Sequence, residues 1–114
     1  MVFFWASNPE GTSGAYGSLE GTVRRKWLKD LDIDLVHIDP YYNDTAQFLG
    51  GKWLAPKPTS SPALAVAIAN VWMNEDLYDK DFVENRTTGF DKWQAYVMGE
   101  EDGVPKTPEW AEEE

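Results

Sequence analysis

The chain has 114 residues, 42% of them apolar, and 20 Asp and Glu against 10 Lys and Arg for a net charge of −10. That is one domain's worth of globular sequence, and it excludes disorder and collagen-like repeats. The acidic balance argues against nucleic acid or an anionic membrane as partner; without Cys the chain has no disulfide, thiolate nucleophile or Cys-held zinc or iron–sulfur cluster, and one His makes His-based metal sites improbable.

Val2-Phe3-Phe4-Trp5-Ala6 is a continuous apolar run and predicts a buried strand. Ser7-Asn8-Pro9-Glu10-Gly11-Thr12-Ser13-Gly14 is a loop signal. A helix follows, with Ala15, Leu19, Val23, Trp27 and Leu31 as one apolar stripe and Glu20–Arg24 as an i,i+4 pair. Ile33–Ile38 is a second strand, stopped by Asp39-Pro40. Strand, helix and strand span the length a βαβ unit needs. Asp44–Phe48 is a short connecting segment, and Lys52–Ala55 a third strand ended by Pro56 and Pro58.

Ser61 predicts an N-cap with Pro62 at N1, opening a helix to about Glu75 that is apolar nearly all round and expected to be buried. Asp79 is placed to cap a short helix containing Phe82 and Val83. Asp91 with Gln94 is a capping-box pattern for a helix carrying Trp93, Tyr96 and Val97. Gly99–Pro105 is an acidic turn, and Thr107-Pro108 starts a last helix. The expected fold class is α/β: a Rossmann-like, three-layer, single domain over residues 1–114. Its short parallel sheet has strand order 3-2-1, and its C-terminal third is helical.

The longest apolar run, Ala63–Ala69, falls well short of the roughly 18–20 residues that span a bilayer. No secretory signal is visible, and Arg24-Arg25 lacks the apolar run a twin-arginine signal requires. Six Trp, five Tyr and five Phe are many rings for a chain that buries only about 60–70% of its unfolded surface. Some are expected to be exposed unless other protein covers them, which predicts self-association or a larger parent.

Three loops carry the chemistry. The first joins strand 1 to its helix and holds Asn8, Gly11, Thr12, Ser13 and Gly14. It lies where open α/β sheets bind ligands, and its small residues admit a phosphate, although Glu10 adds a negative charge. It is not G-x-G-x-x-G, and an ordinary tight turn is the competing reading. Asp39 ends strand 2, where an acidic residue holds a ribose hydroxyl or simply starts a turn before Pro. Thr59-Ser60-Ser61 after strand 3 is either a helix cap or a loop whose hydroxyls read a base or ribose. His37, between Val36 and Ile38, is a packed structural histidine.

These residues resemble the large catalytic subunits of the molybdopterin oxidoreductases, the DMSO reductase superfamily. Trp5-Ala6-Ser7-Asn8-Pro9 is similar to W-G-x-N-P. Val36-His37-Ile38-Asp39-Pro40 with Thr45-Ala46 is similar to V-x-I-D-P-R-x-T-x-T-A. Trp53–Pro58 with Ala63-Leu64 is similar to W-L-x-I-R-P-G-T-D-x-A-L, and Leu77–Val83 with Thr87 and Gly89-Phe90 to L-Y-D-K-x-F-V…T-x-G-F. Within the superfamily, Arg24–Leu31, Asp39–Ala46 and Asp102–Trp110 look most like the pyrogallol–phloroglucinol transhydroxylases.

The resemblance implies a domain that holds one guanosine arm of bis(molybdopterin guanine dinucleotide), with Mo or W in the parent enzyme. It implies Ser7 and Asn8 at the pyrophosphate, Asp39 at the ribose or guanine, and Ser60 and Ser61 at the guanine. No residue of this chain is implied as catalytic or as a metal ligand, and the implied partners are the remaining domains of a longer subunit. Three positions depart from the motif: Ala6 replaces Gly, Tyr41 stands where Arg is usual, and Thr59-Ser60-Ser61 replaces Gly-Thr-Asp. The rival reading is a free-standing nucleotide-binding or protein-interaction module without a catalytic parent.

Overall fold

The computed structural model describes residues 1–12 and 18–114. The helix start expected near Ala15, and the Ser13-Gly14 part of the loop, lie outside the described residues. The chain forms two compact units, Met1–Pro58 and Thr59–Glu114.

The first unit is built on three parallel strands, β1 (Val2–Trp5), β2 (Leu35–Ile38) and β3 (Lys52–Leu54), in the order β1-β2-β3. That is the expected 3-2-1 order read from the other edge. Val2 pairs with Leu35 and Trp5 with Ile38; Val36 pairs with Lys52 and Ile38 with Leu54. Every residue of β2 is buried, as a central parallel strand requires. β1 is not the buried strand its apolar run suggests: Phe3 is 59% exposed, because β1 is an edge and one of its faces is uncovered. β3, the other edge, is exposed throughout.

His37 is the packed histidine expected. It is 1% exposed and its ring stacks on Phe4, with centroids 5.1 Å apart and planes 9° from parallel. Its Nε2 lies 2.9 Å from the Gly50 carbonyl, which can only accept, so Nε2 carries the proton. Gly51, at φ 106°, lets β3 approach β2: a Cβ there would lie 2.6 Å from the Leu35 carbonyl oxygen.

Three helices surround these strands in sequence: α1 (Pro9–Thr12), α2 (Ser18–Asp30) and α3 (Asp44–Leu49). α1 and α3 fall where a loop and a short connecting segment are expected. Both follow an Asn whose side chain accepts from a first-turn N–H, Asn8 from Gly11 and Asn43 from Ala46. The α2 stripe is a correction. Val23, Trp27 and Leu31 are 50%, 57% and 70% exposed, while Gly21, Thr22, Arg25 and Leu28 are more covered. A four-residue spacing winds about 40° per step around a 3.6-residue helix, so it does not hold one face over this length.

The second unit is helical: α4 (Ser61–Asn74), α5 (Lys80–Arg86), α6 (Phe90–Val97) and α7 (Pro108–Glu113). α4 packs against α6 and α7. It buries Ala63, Ala67, Ala69, Asn70 and Met73 but leaves Trp72 exposed, so it is less enclosed than its composition suggests. Asp79 caps α5 by accepting from the Phe82 N–H at 2.9 Å, and Thr107 caps α7 from Trp110 at 3.3 Å. Two cap positions shift. Ser60, not Ser61, is the cap residue of α4. α6 starts from Gly89 at φ 81° rather than from Asp91; Phe90 enters the helix with its ring 5.2 Å from Tyr78.

Lys106 is 3% exposed and tethers the acidic turn. Its ammonium donates to Asp102 at 2.6 Å and to the Val104 carbonyl at 2.5 Å, and lies 4.7 Å from the Tyr96 ring and 5.5 Å from that of Trp110. The bond from Lys106 holds the Asp102 carboxyl below its usual value. Among the described residues no helix is long and apolar enough to cross a membrane.

Candidate functional site

Ser7, Asn8 and Asp39 stand at the C-terminal ends of β1 and β2, in the first unit. The structure brings these two loops together through Asn43 and Thr45, neither of them among the expected site residues. Asn43, 2% exposed, donates to the Asp39 carboxylate at 3.0 Å and to the Ser7 carbonyl at 3.4 Å. The other Asp39 oxygen accepts from the Tyr41 N–H at 3.1 Å, and the Asp39 carbonyl accepts from the Trp53 indole at 2.9 Å. Asp39 is thus 7% exposed and held in one orientation.

Asn8 lies beside it in a second network. Its side-chain oxygen accepts from Thr45 N–H at 3.1 Å, from the Thr45 hydroxyl at 3.0 Å and from Gly11 N–H at 3.3 Å. Its amide donates to Asp44 at 3.2 Å. A Cβ at Gly11 would fall 2.3 Å from the Asn8 amide nitrogen and 2.8 Å from an Asp44 carboxylate oxygen, so a larger residue would displace these two side chains. A signal for Asn43 and Thr45 was present, since Asn-Asp-Thr ahead of Ala46, Phe48 and Leu49 is a helix start, but it says nothing of a bond to a distant loop.

The charge of Glu10 is compensated rather than turned on a ligand. Its carboxylate accepts from Arg25 at 2.5 Å and from the Thr22 hydroxyl at 2.7 Å. Burial pushes this carboxyl up, the Arg25 and Thr22 bonds pull it down, and the balance lies below the usual glutamate value.

Ser60 and Ser61 stand at the start of α4, in the second unit. Two of the motif departures have a backbone signature. Ala6 sits at φ 45° and Thr59 at φ 76°, the left-handed region that favours glycine. Both occupy positions where the resembling motifs carry Gly. Within the first unit a cavity of about 410 Å³ lies away from Ser7, Asn8 and Asp39, at the N-terminal ends of the strands, between Met1, Lys29, Asp34, Leu49 and Lys52.

No protein-family model matches the chain. Curated proteins match it along nearly its whole length. It is 51% identical over 114 residues to the pyrogallol hydroxytransferase large subunit of Pelobacter acidigallici, covering all of this chain and 13% of that protein. It is 41% identical over 120 residues to the dimethyl sulfoxide/trimethylamine N-oxide reductase of Rhodobacter capsulatus, covering 97% of this chain and 14% of the reductase. A trimethylamine-N-oxide reductase of Vibrio cholerae is 35% identical over 120 residues, again 14% of its length. The chain therefore belongs to the DMSO reductase family. It spans 13–14% of the length of these relatives.

Proposed function

We propose that this chain is a single nucleotide-cradling domain of its parent subunit, holding the guanosine arm of bis(molybdopterin guanine dinucleotide), and that it is not catalytic alone. The observation that carries the reading is the pair of loops after β1 and β2, bolted side by side at the C-terminal edge of a parallel sheet. The residues fit a sugar–phosphate stretch. Ser7 offers a hydroxyl, and Asp39 is a carboxylate already oriented by Asn43 and Tyr41, with lone pairs to spare for a ribose hydroxyl. On this reading Ser7 and the Asn8 loop meet the pyrophosphate, Asp39 the sugar, and Ser60 and Ser61 the base. When bound in the parent enzyme, the group supplies redox chemistry at Mo or W; this chain's residues supply only binding and orientation. The partners are the remaining domains of the parent, and the isolated chain self-associates through exposed rings such as Trp27.

The test is an NMR titration with GDP and ADP. GDP at millimolar concentration should perturb Ser7, Asn8, Asp39 and Ser60. Ser61→Asp, which returns the motif's carboxylate, should tighten GDP about tenfold and ADP little, because only guanine presents two donors on that edge. Unperturbed resonances together with an inert Ser61→Asp would overturn the reading.

A further inference from the structure

We propose that Thr45 is a positioning residue for the loop between β1 and α1: its hydroxyl sets that loop, and so the affinity for nucleotide, without touching the ligand. The inference rests on the nucleotide reading above. Thr45 is 0% exposed, so no ligand reaches it. Its backbone N–H and its hydroxyl both donate to the Asn8 side-chain oxygen, at 3.1 and 3.0 Å. With Gly11 as third donor, that oxygen is saturated, since a carbonyl has two lone pairs. Thr45 Oγ1 also accepts from the Glu10 N–H at 3.0 Å. A hydroxyl can do both at once, having one proton and two lone pairs.

These partners lie 35 and 37 residues from Thr45 in sequence. No local preference links residues this far apart; β1–β2 pairing brings them together, and the hydroxyl then fixes the loop through two bonds beside that of the Thr45 N–H. Asn8 is thereby turned inward, its amide on Asp44, and it serves the ligand through the shape of the loop. Contact with phosphate falls to Ser7 and the backbone.

Thr45→Val keeps the volume and removes both hydroxyl bonds. The readings are GDP affinity of the 114-residue chain by NMR titration and hydrogen exchange at the Glu10 amide. Exchange at Val36–Ile38 reports whether the sheet stands. Expected are about tenfold faster exchange at Glu10, GDP bound about fivefold more weakly, and an intact sheet. Thr45→Ser, which keeps the hydroxyl, should stay within about twofold of native on both readings. If the native chain binds GDP and Thr45→Val binds it equally well, the positioning role is wrong. It is equally wrong if Thr45→Ser loses as much as Thr45→Val. A native chain that takes up no GDP sinks the nucleotide reading instead, and the role with it. Should Thr45→Val not fold, Thr45→Ala, which also removes the hydroxyl, replaces it in the same comparison with Thr45→Ser.

Discussion

In the first unit the polar groups that matter reach across 35 to 37 residues, from Thr45 to Glu10 and Asn8, whereas in the second Lys106 finds its carboxylate four residues back, at Asp102. Asn70 likewise bonds Asn74 within one helix, although it also reaches the Val97 carbonyl at 3.3 Å. A bond between near neighbours forms as soon as its helix or turn forms. A bond between distant loops forms only after the strands beneath them have paired. The loops after β1 and β2 are therefore products of the sheet, which is how a rigid scaffold fixes the geometry of a binding edge. The helical unit keeps itself in order with caps and short-range pairs.

The comparison breaks most readily at His37. His37→Ala removes the ring stacked on Phe4 and strips the Gly50 carbonyl of its donor, so the first unit should lose about 3 kcal/mol. Urea denaturation, followed by exchange at Val36 and Ile38, measures it. His37→Phe should recover much of the loss by restoring the stack. A loss confined to the second unit would refute the division drawn here.

Lys106→Ala is the counterpart in the helical unit. It removes bonds to Asp102 and Val104 and a cation set against two rings, and should cost about 2 kcal/mol. The effect should appear in the exchange of Val97 and Met98, since the Lys106 N–H donates to the Val97 carbonyl at 3.0 Å. A cost below about 0.5 kcal/mol would make the ring cage incidental.

The smallest effects have the opposite sign. Thr59→Gly and Ala6→Gly each relieve a left-handed backbone, one in each unit. Thr59, β-branched at φ 76°, should gain about 1 kcal/mol. Ala6 should gain about 0.5 kcal/mol, part of the relief being offset by the freedom glycine adds to the unfolded chain. Thermal melts that move downward for both variants would show that these side chains make contacts worth more than the strain.

Much of the fold is legible residue by residue. Leu35–Ile38, rich in β-branched and apolar residues and stopped by Asp39-Pro40, was legible as a strand; that it and not the apolar run Val2–Ala6 is the buried one was not. Asp79 and Thr107 name two helix starts, because their side chains meet an N–H three residues on, within the same turn; Ser61 and Asp91 carry the same signal and are not the caps. Ser7, Asn8 and Asp39 were likewise readable as residues at strand ends. Asn43 and Thr45 were not: their segment read as a short connection, with Thr45 only a member of the resembling motif, and it is the helix α3.

What the sequence determined by itself is local: the alternation of strand, helix and strand, the helical C-terminal third, and the small and acidic residues at the strand ends. Those follow from periodicity and capping, which need no partner beyond a few residues. The tertiary structure alone decided the face α2 turns inward, since Arg25 and Thr22 face Glu10 while Trp27 is left outside. It also decided where Asn8 points. The hydroxyl that turns it lies 37 residues away, and no spacing rule spans that distance; only the pairing of β1 with β2 brings the two together.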